Sequence, residues 1–146
     1  MTPTKVLICD LTHTAQTISS EFMPYAQGCI ATYLKANCPY SVEVNIFKFM
    51  DELEREINEN CPDIVGFSYY MWNSDLSLNV AKIIKKKYPN IIIIFGGPNF
   101  PIEIERQKEW IKANLQVDFF IPFEGEMAFC NLVSSIIENN KDLDKV

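Results

Sequence analysis

Short apolar runs alternate with stretches of helical period along most of the chain. Lys5 to Cys9, Val42 to Phe47, Asp63 to Phe67, Ile91 to Phe95 and Val117 to Ile121 each read as a β-strand. Between them, apolar positions recur at helical spacing: Ala26, Ile30, Tyr33 and Leu34, then Met50, Leu53 and Ile57, then Leu76, Val80, Ile83 and Ile84. A fourth helix is predicted from about Pro101 to Leu115, and a fifth near Gly125 with Phe129, Val133, Ile136 and Ile137 facing inward. Pro24 suits the first turn of the first helix, and Asn37-Cys38-Pro39 ends it. Cys61-Pro62 breaks the second. Asn73 or Ser74 caps the third, with Asp75 favourable in its first turn, and Tyr88-Pro89-Asn90 stops it. Glu138 to Val146 is polar and expected to fray.

The run Ile91 to Phe95 is apolar on both faces of a strand, which belongs in the middle of a covered parallel sheet. Strands alternating with helices predict an α/β fold, a three-layer α/β/α sandwich around a five-stranded parallel sheet. Five such units fit the flavodoxin-like (Rossmann-like) strand order 2-1-3-4-5. The 146 residues make one domain, with no internal repeat or low-complexity segment.

Composition narrows the function. Hydrophobic residues at 48% and charged residues at 22% exclude a disordered or fibrous chain. Thirteen Lys plus Arg against nineteen Asp plus Glu leave a charge of −6, without the footprint of a nucleic-acid binder or the basic patch of a membrane-surface protein. No apolar run is long enough to span a bilayer, and the N-terminus runs straight into a strand with no signal-peptide pattern, so the cytoplasm is expected. The five cysteines lie outside metal-ligand spacing of one another, so neither a disulfide framework nor a metal site within this chain is expected. Most of them read as small buried hydrophobes, and Lys82 with Lys85 to Lys87 reads as a solvated face.

In an open parallel sheet, ligands bind at the carboxyl ends of the strands, near the reversal of strand order. After strand one comes Asp10 to Thr17, with the only histidine, His13, and with Thr12 and Thr14 able to cradle a phosphate. It approaches the T-x-T-G-x-T phosphate loop of flavodoxins, but Ala15 stands in place of the glycine and Pro24 puts the helix start too late. After strand three comes Ser68-Tyr69-Tyr70-Met71-Trp72-Asn73, an apolar cluster expected at the surface and marking a ligand or an interface. After strand four, Gly96-Gly97-Pro98 permits close backbone approach, although a simple tight turn is the better account of a glycine pair taken alone. After strand five, Phe123-Glu124-Gly125-Glu126 places two acids where capping and the helix dipole account for them.

Taken together, Asp63 to Asn73, Phe95 to Pro98, Phe123 to Glu126 and Phe129 resemble the cobalamin (vitamin B12)-binding domain of cobalamin-dependent radical S-adenosylmethionine enzymes, over nearly the whole chain. The resemblance implies that Ser68 hydrogen-bonds the nucleotide tail of cobalamin and that Gly96-Gly97 let it pass. Tyr69, Tyr70, Met71, Trp72, Asn73 and the turn Phe123-Glu124-Gly125-Glu126 then border the corrin, with Thr12, His13, Thr14 and Pro98 also at the cofactor. Many cobalamin domains carry D-x-H-x-x-G after strand one, whose histidine ligates cobalt. Here His13 is one place late and Gln16 replaces the glycine. The resemblance therefore implies base-off binding, with His13 only an alternative cobalt ligand.

The cluster-binding run C-x-x-x-C-x-x-C of the radical domain is absent, so the 4Fe-4S cluster and S-adenosylmethionine are expected only in a further domain. The leading reading is a cobalamin-binding module at residues 1–137 of a methyltransferase or cyclase-like radical enzyme, not catalytic alone, with residues 138–146 a polar tail or the start of a linker. Its partners are cobalamin and that catalytic domain, with no nucleic acid or membrane. The alternative is a flavodoxin-like electron carrier binding flavin mononucleotide. A receiver domain is discounted because Ser68 and Ile121-Pro122-Phe123 stand where its acceptor Asp and its Lys belong.

Overall fold

The computed structural model describes residues 2–14 and 22–146. Ala15, Gln16 and Thr17, on which part of the phosphate-loop comparison rests, lie outside the described residues. The strands are β1 (Thr4–Cys9), β2 (Val42–Phe47), β3 (Ile64–Ser68), β4 (Ile92–Gly97) and β5 (Phe119–Pro122). The helices are α1 (Tyr25–Asn37), α2 (Met50–Asn60), α3 (Ser74–Lys87), α4 (Ile104–Ala113) and α5 (Glu126–Glu138). All pairings are parallel and the order is β2-β1-β3-β4-β5, as expected. Chain order reverses at β1, so the crevice between β1 and β3 is the switch point.

The twofold period of the strands divides the core. Val6, Ile8, Ile64, Ile92 and Ile94 point to one side and meet Ala31 and Leu34 of α1 with Phe129, Val133 and Ile136 of α5. Leu7, Cys9, Val65, Phe67, Ile93 and Phe95 point to the other and meet Leu53, Ile57, Val80, Ala81 and Ile84 of α2 and α3. Each such aliphatic side chain contributes about 1.5–3 kcal/mol on burial. No helix among the described residues is long and apolar enough to cross a membrane.

Two aspartates clasp the amino end of the sheet. The Asp63 carboxylate accepts the Lys5 N–H at 2.8 Å and pairs with Lys141. Asp118 accepts the Ile93 N–H at 2.7 Å and pairs with Lys85 at 2.7 Å.

Several boundaries differ from expectation. β3, β4 and β5 start one or two residues late; at β3 and β5 the expected first residues include Asp63 and Asp118, whose side chains make the clasps. β3 therefore extends to Ser68 and β4 takes in both glycines. α4 is shorter at both ends than predicted. α1 keeps Leu34 of its predicted stripe buried, with Ile30 and Tyr33 half-buried against the core, but Ala26 is exposed and Gln27 and Ala31 are buried, because the helix packs against α5 as well as the sheet. Met50 and Ile83 are exposed, while Ser77 and Ala81 take buried positions in α3. Only Cys9 and Cys130 are buried; Cys61 is exposed and the other two are half-buried, so most are not core. The C-terminal residues fold back rather than fray, with Leu143 packed on the α1/α5 core.

Candidate functional site: a one-sided cavity at the switch point

At the carboxyl ends, the residues of β3 and β4 that face α1 and α5 become small. Gly66, Ser68 and Gly96 leave a cavity of about 210 Å³, walled by Ile8, Ile30, Ile94 and Phe129 and rimmed by Pro98, Phe123, Glu124 and Glu126. A Cβ on Gly66 would sit 3.3 Å from the Phe129 ring, so glycine here lets α5 approach the sheet. Gly97 has φ 137° and a Cβ there would lie 2.8 Å from the Tyr69 carbonyl oxygen, a position open only to glycine. That tight crossing is locked by the Tyr69 N–H donating to the Gly96 carbonyl at 2.7 Å.

Behind the cavity lies a buried polar chain. The Tyr70 backbone N–H donates to Asn73 Oδ1 at 2.9 Å. Asn73 Nδ2 donates to Ser68 Oγ at 2.9 Å, and the Ser68 hydroxyl donates to Asp10 Oδ1 at 2.7 Å. Asn73 is 1% exposed, so its side chain serves this chain instead of capping α3. Burial first, and the Asp10 charge second, push the Tyr70 phenol above its ordinary value, against a hydrogen bond from Gln27.

A second depression of about 420 Å³ adjoins the first through Ala26, Gln27 and Tyr70, and Asp10, Thr12, His13, Lys48 and Trp72 line it. Tyr70 and Trp72 stack with centroids 4.6 Å apart. His13, Thr14, Met71 and Trp72 are exposed. Glu126 lies in the first turn of α5 without a side-chain cap bond, as a dipole partner would.

Of the residues singled out from sequence, Ser68, Tyr70, Gly96, Gly97, Pro98, Phe123, Glu124, Gly125 and Glu126 share the cavity. Thr12, His13 and Trp72 lie at the adjoining depression. The expectation of a surface loop fails for three residues. Asn73 is buried. Ser68 is on the strand, and Tyr69 is buried on the opposite face, where Trp110 Nε1 donates to its hydroxyl at 3.0 Å. Only the Tyr69 backbone borders the glycine pair. Sequence reasoning missed Gly66, Gln27 and the role of Asp10. A glycine inside an otherwise apolar strand was the available signal for the first. Among the described residues, no group of three or more His, Cys, Asp and Glu side chains is arranged to hold a metal ion.

Comparison with known proteins agrees with this geometry. A sequence-family model described as "B12 binding domain" matches residues 14–133. The chain is 28% identical over 129 residues to the cobalamin-dependent radical SAM methyltransferase TokK of Streptomyces tokunonensis, covering 86% of this chain. It is 26% identical over 129 residues to the 2-(S-pantetheinyl)-carbapenam-3-carboxylate methyltransferase of Streptantibioticus cattleyicolor, again over 86% of this chain. The chain spans 18% of the length of each of these relatives.

Proposed function

The chain belongs to the B12-binding domain family, and we infer that it is the cobalamin-holding module of a larger radical S-adenosylmethionine methyltransferase, binding cobalamin base-off at the carboxyl ends of its strands. Residues 1–137 form that module in this reading, and residues 138–146 are a polar tail or the start of a linker to the catalytic domain, folded back so that Leu143 packs on the module. The methyltransferase assignment rests on the two relatives, which carry that activity in their names.

The observation that carries the location is the one-sided cavity at the switch point. Its volume of about 210 Å³ is below the ~300–1,000 Å³ of pockets that swallow a whole cofactor. It suits one flat ring system, such as the base of the nucleotide tail. Gly66 and Gly96 provide the space, the aliphatic wall excludes water, and Ser68 supplies the single buried hydroxyl. Exposed Met71, Trp72 and Phe123 then border the corrin, which lies outside the cavity. When bound, cobalamin supplies a cobalt centre able to carry a methyl group. The chain's own residues bind, orient and shield it. His13 is an exposed rim residue and not a cobalt ligand in this reading.

Among the described residues the first helix after β1 starts only at Tyr25, well beyond Thr12 and Thr14 in the chain, whereas a flavodoxin-type phosphate loop runs directly into its helix; this weighs against the flavin mononucleotide alternative. Hydroxocobalamin titrated into the purified chain is expected to be retained on gel filtration and to move its visible spectrum to the base-off form. No retention and no spectral change would overturn this reading.

A further inference from the structure

The polar chain behind the cavity has a direction, and a backbone group fixes it. The Tyr70 N–H can only donate, so the Asn73 atom it meets is the amide oxygen. The other end of that amide, Nδ2, is then a donor and faces Ser68 Oγ. Ser68 must accept there, and its one hydrogen goes to the Asp10 carboxylate, an acceptor only. Asn73 Nδ2 also approaches Asp10 Oδ1 at 3.5 Å. Every donor in the chain therefore points towards Asp10. What remains for a ligand in the cavity is a lone pair on Ser68.

We propose that Asn73 and Asp10 are positioning residues that hold the Ser68 hydroxyl as a hydrogen-bond acceptor, so that the cavity takes the cofactor's tail base in its protonated, N–H-bearing form. This inference rests on the cobalamin reading above. Once off cobalt, the free imidazole-type nitrogen of the tail is an acceptor when neutral and a donor when protonated. Only the second form meets an acceptor at Ser68 without breaking the bond to Asp10. A neutral nitrogen would leave two acceptors facing each other in a buried site, an unsatisfied contact. The proton comes from solvent and stays on the ring nitrogen; no other bond changes.

The surrounding charges favour the same form. Asp10 on the β1 end, and Glu124 and Glu126 from the β5–α5 turn, are the acids at the cavity and behind it. The ionisable Tyr70 comes from the β3–α3 loop, and α1 contributes only neutral Gln27. The basic side chains nearby, His13 and Lys48, line the adjoining depression instead. Protonation of the tail also keeps its nitrogen from returning to cobalt, which ties the polar chain to base-off binding.

The test is the protonation state of the tail nitrogen in bound hydroxocobalamin, read by 15N NMR with the tail base labelled, from about pH 5 to about pH 8, where imidazole-type rings titrate. The expected result is a nitrogen that stays protonated to higher pH than in free base-off cobalamin, with affinity that rises as pH falls. Ser68→Ala and Asp10→Asn should each flatten that pH dependence and weaken binding about tenfold at the acidic end. Cobinamide, which lacks the tail, should bind wild type and both variants alike. Retained cobalamin with a neutral tail nitrogen in the wild type overturns this inference and leaves the binding assignment standing. Failure of the wild type to retain cobalamin at all overturns the binding assignment, and this inference with it.

Discussion

The two faces of the sheet end differently. Towards α2, α3 and α4, the carboxyl ends of the strands carry Phe67, Phe95 and Phe120, with Tyr69 just past β3; Tyr69, Phe95 and Phe120 close on Trp110 with centroids 5.3–6.4 Å apart, and Phe67 packs on Phe95 at 5.1 Å. Towards α1 and α5, the alternate residues of the same strands are Gly66, Ser68 and Gly96, and a cavity opens. One set of strands thus makes a sealed face and a receptive one, because successive side chains point to opposite sides. A slip of one residue would exchange them, so the register holds the site as firmly as it holds the core. The same contrast runs along the strand axis. Carboxylates of Asp63 and Asp118 tie the amino end shut, whereas the Asp10 carboxylate at the carboxyl end holds Ser68 from behind the cavity.

The comparison can be broken most severely on the sealed face. Phe95 is fully buried among these rings, and Phe95→Ala is expected to cost about 3–5 kcal/mol of stability, read as a lower urea midpoint. Next in size is Gly97→Ala. It forces a side chain into φ 137° and against the Tyr69 carbonyl, with an expected cost of about 1–3 kcal/mol and disturbance of both faces at their meeting point.

An alkaline scan comes third. Burial first, and Asp10 second, push the Cys9 thiol far above its ordinary value of 9.0. The folded state therefore holds this proton more tightly than the unfolded state. Its contribution is complete below pH 9.0 and is lost as pH rises beyond it, at a limiting slope of about 1.4 kcal/mol per pH unit. Cys9→Ala should make that limb shallower in a plot of urea midpoint against pH, leaving the part that the Tyr70 phenol contributes at higher pH.

The smallest effect sharpens the assignment of faces. Tyr69→Phe deletes the bond from Trp110 and should cost about 1 kcal/mol while leaving cobalamin affinity unchanged. A loss of affinity would put the Tyr69 side chain at the ligand after all.

Much of this was legible in the chain, for identifiable reasons. β2 was placed at Val42–Phe47 because Pro39 and Lys48 bracket a clean alternating run, and the five-unit rhythm fixed the strand order. The glycine pair and the Phe123 turn stood out because neither suits a plain strand or helix. Tyr69 did not, since alternation continues one step past the strand into what reads as a loop. Asn73 did not, because a residue that caps a helix and one that turns inward to hold Ser68 look the same in sequence. The first turn of α1 departs from its predicted stripe because Gln27, a polar residue, takes the buried position beside Tyr70 and the cavity in place of Ala26.

The central claim is that the receptive face takes the cofactor's tail. The direct measurement is hydroxocobalamin binding to Gly96→Leu beside wild type, followed in the visible spectrum, with a urea midpoint for each. Gly96 lines the cavity, and its Cβ position has ordinary contacts, 3.4 Å from the Ile121 carbonyl oxygen. The variant is therefore expected to fold, with stability within about 1 kcal/mol of wild type, and to lose base-off binding. A Gly96→Leu protein that binds cobalamin as tightly as wild type, with the same base-off spectrum, would contradict the claim.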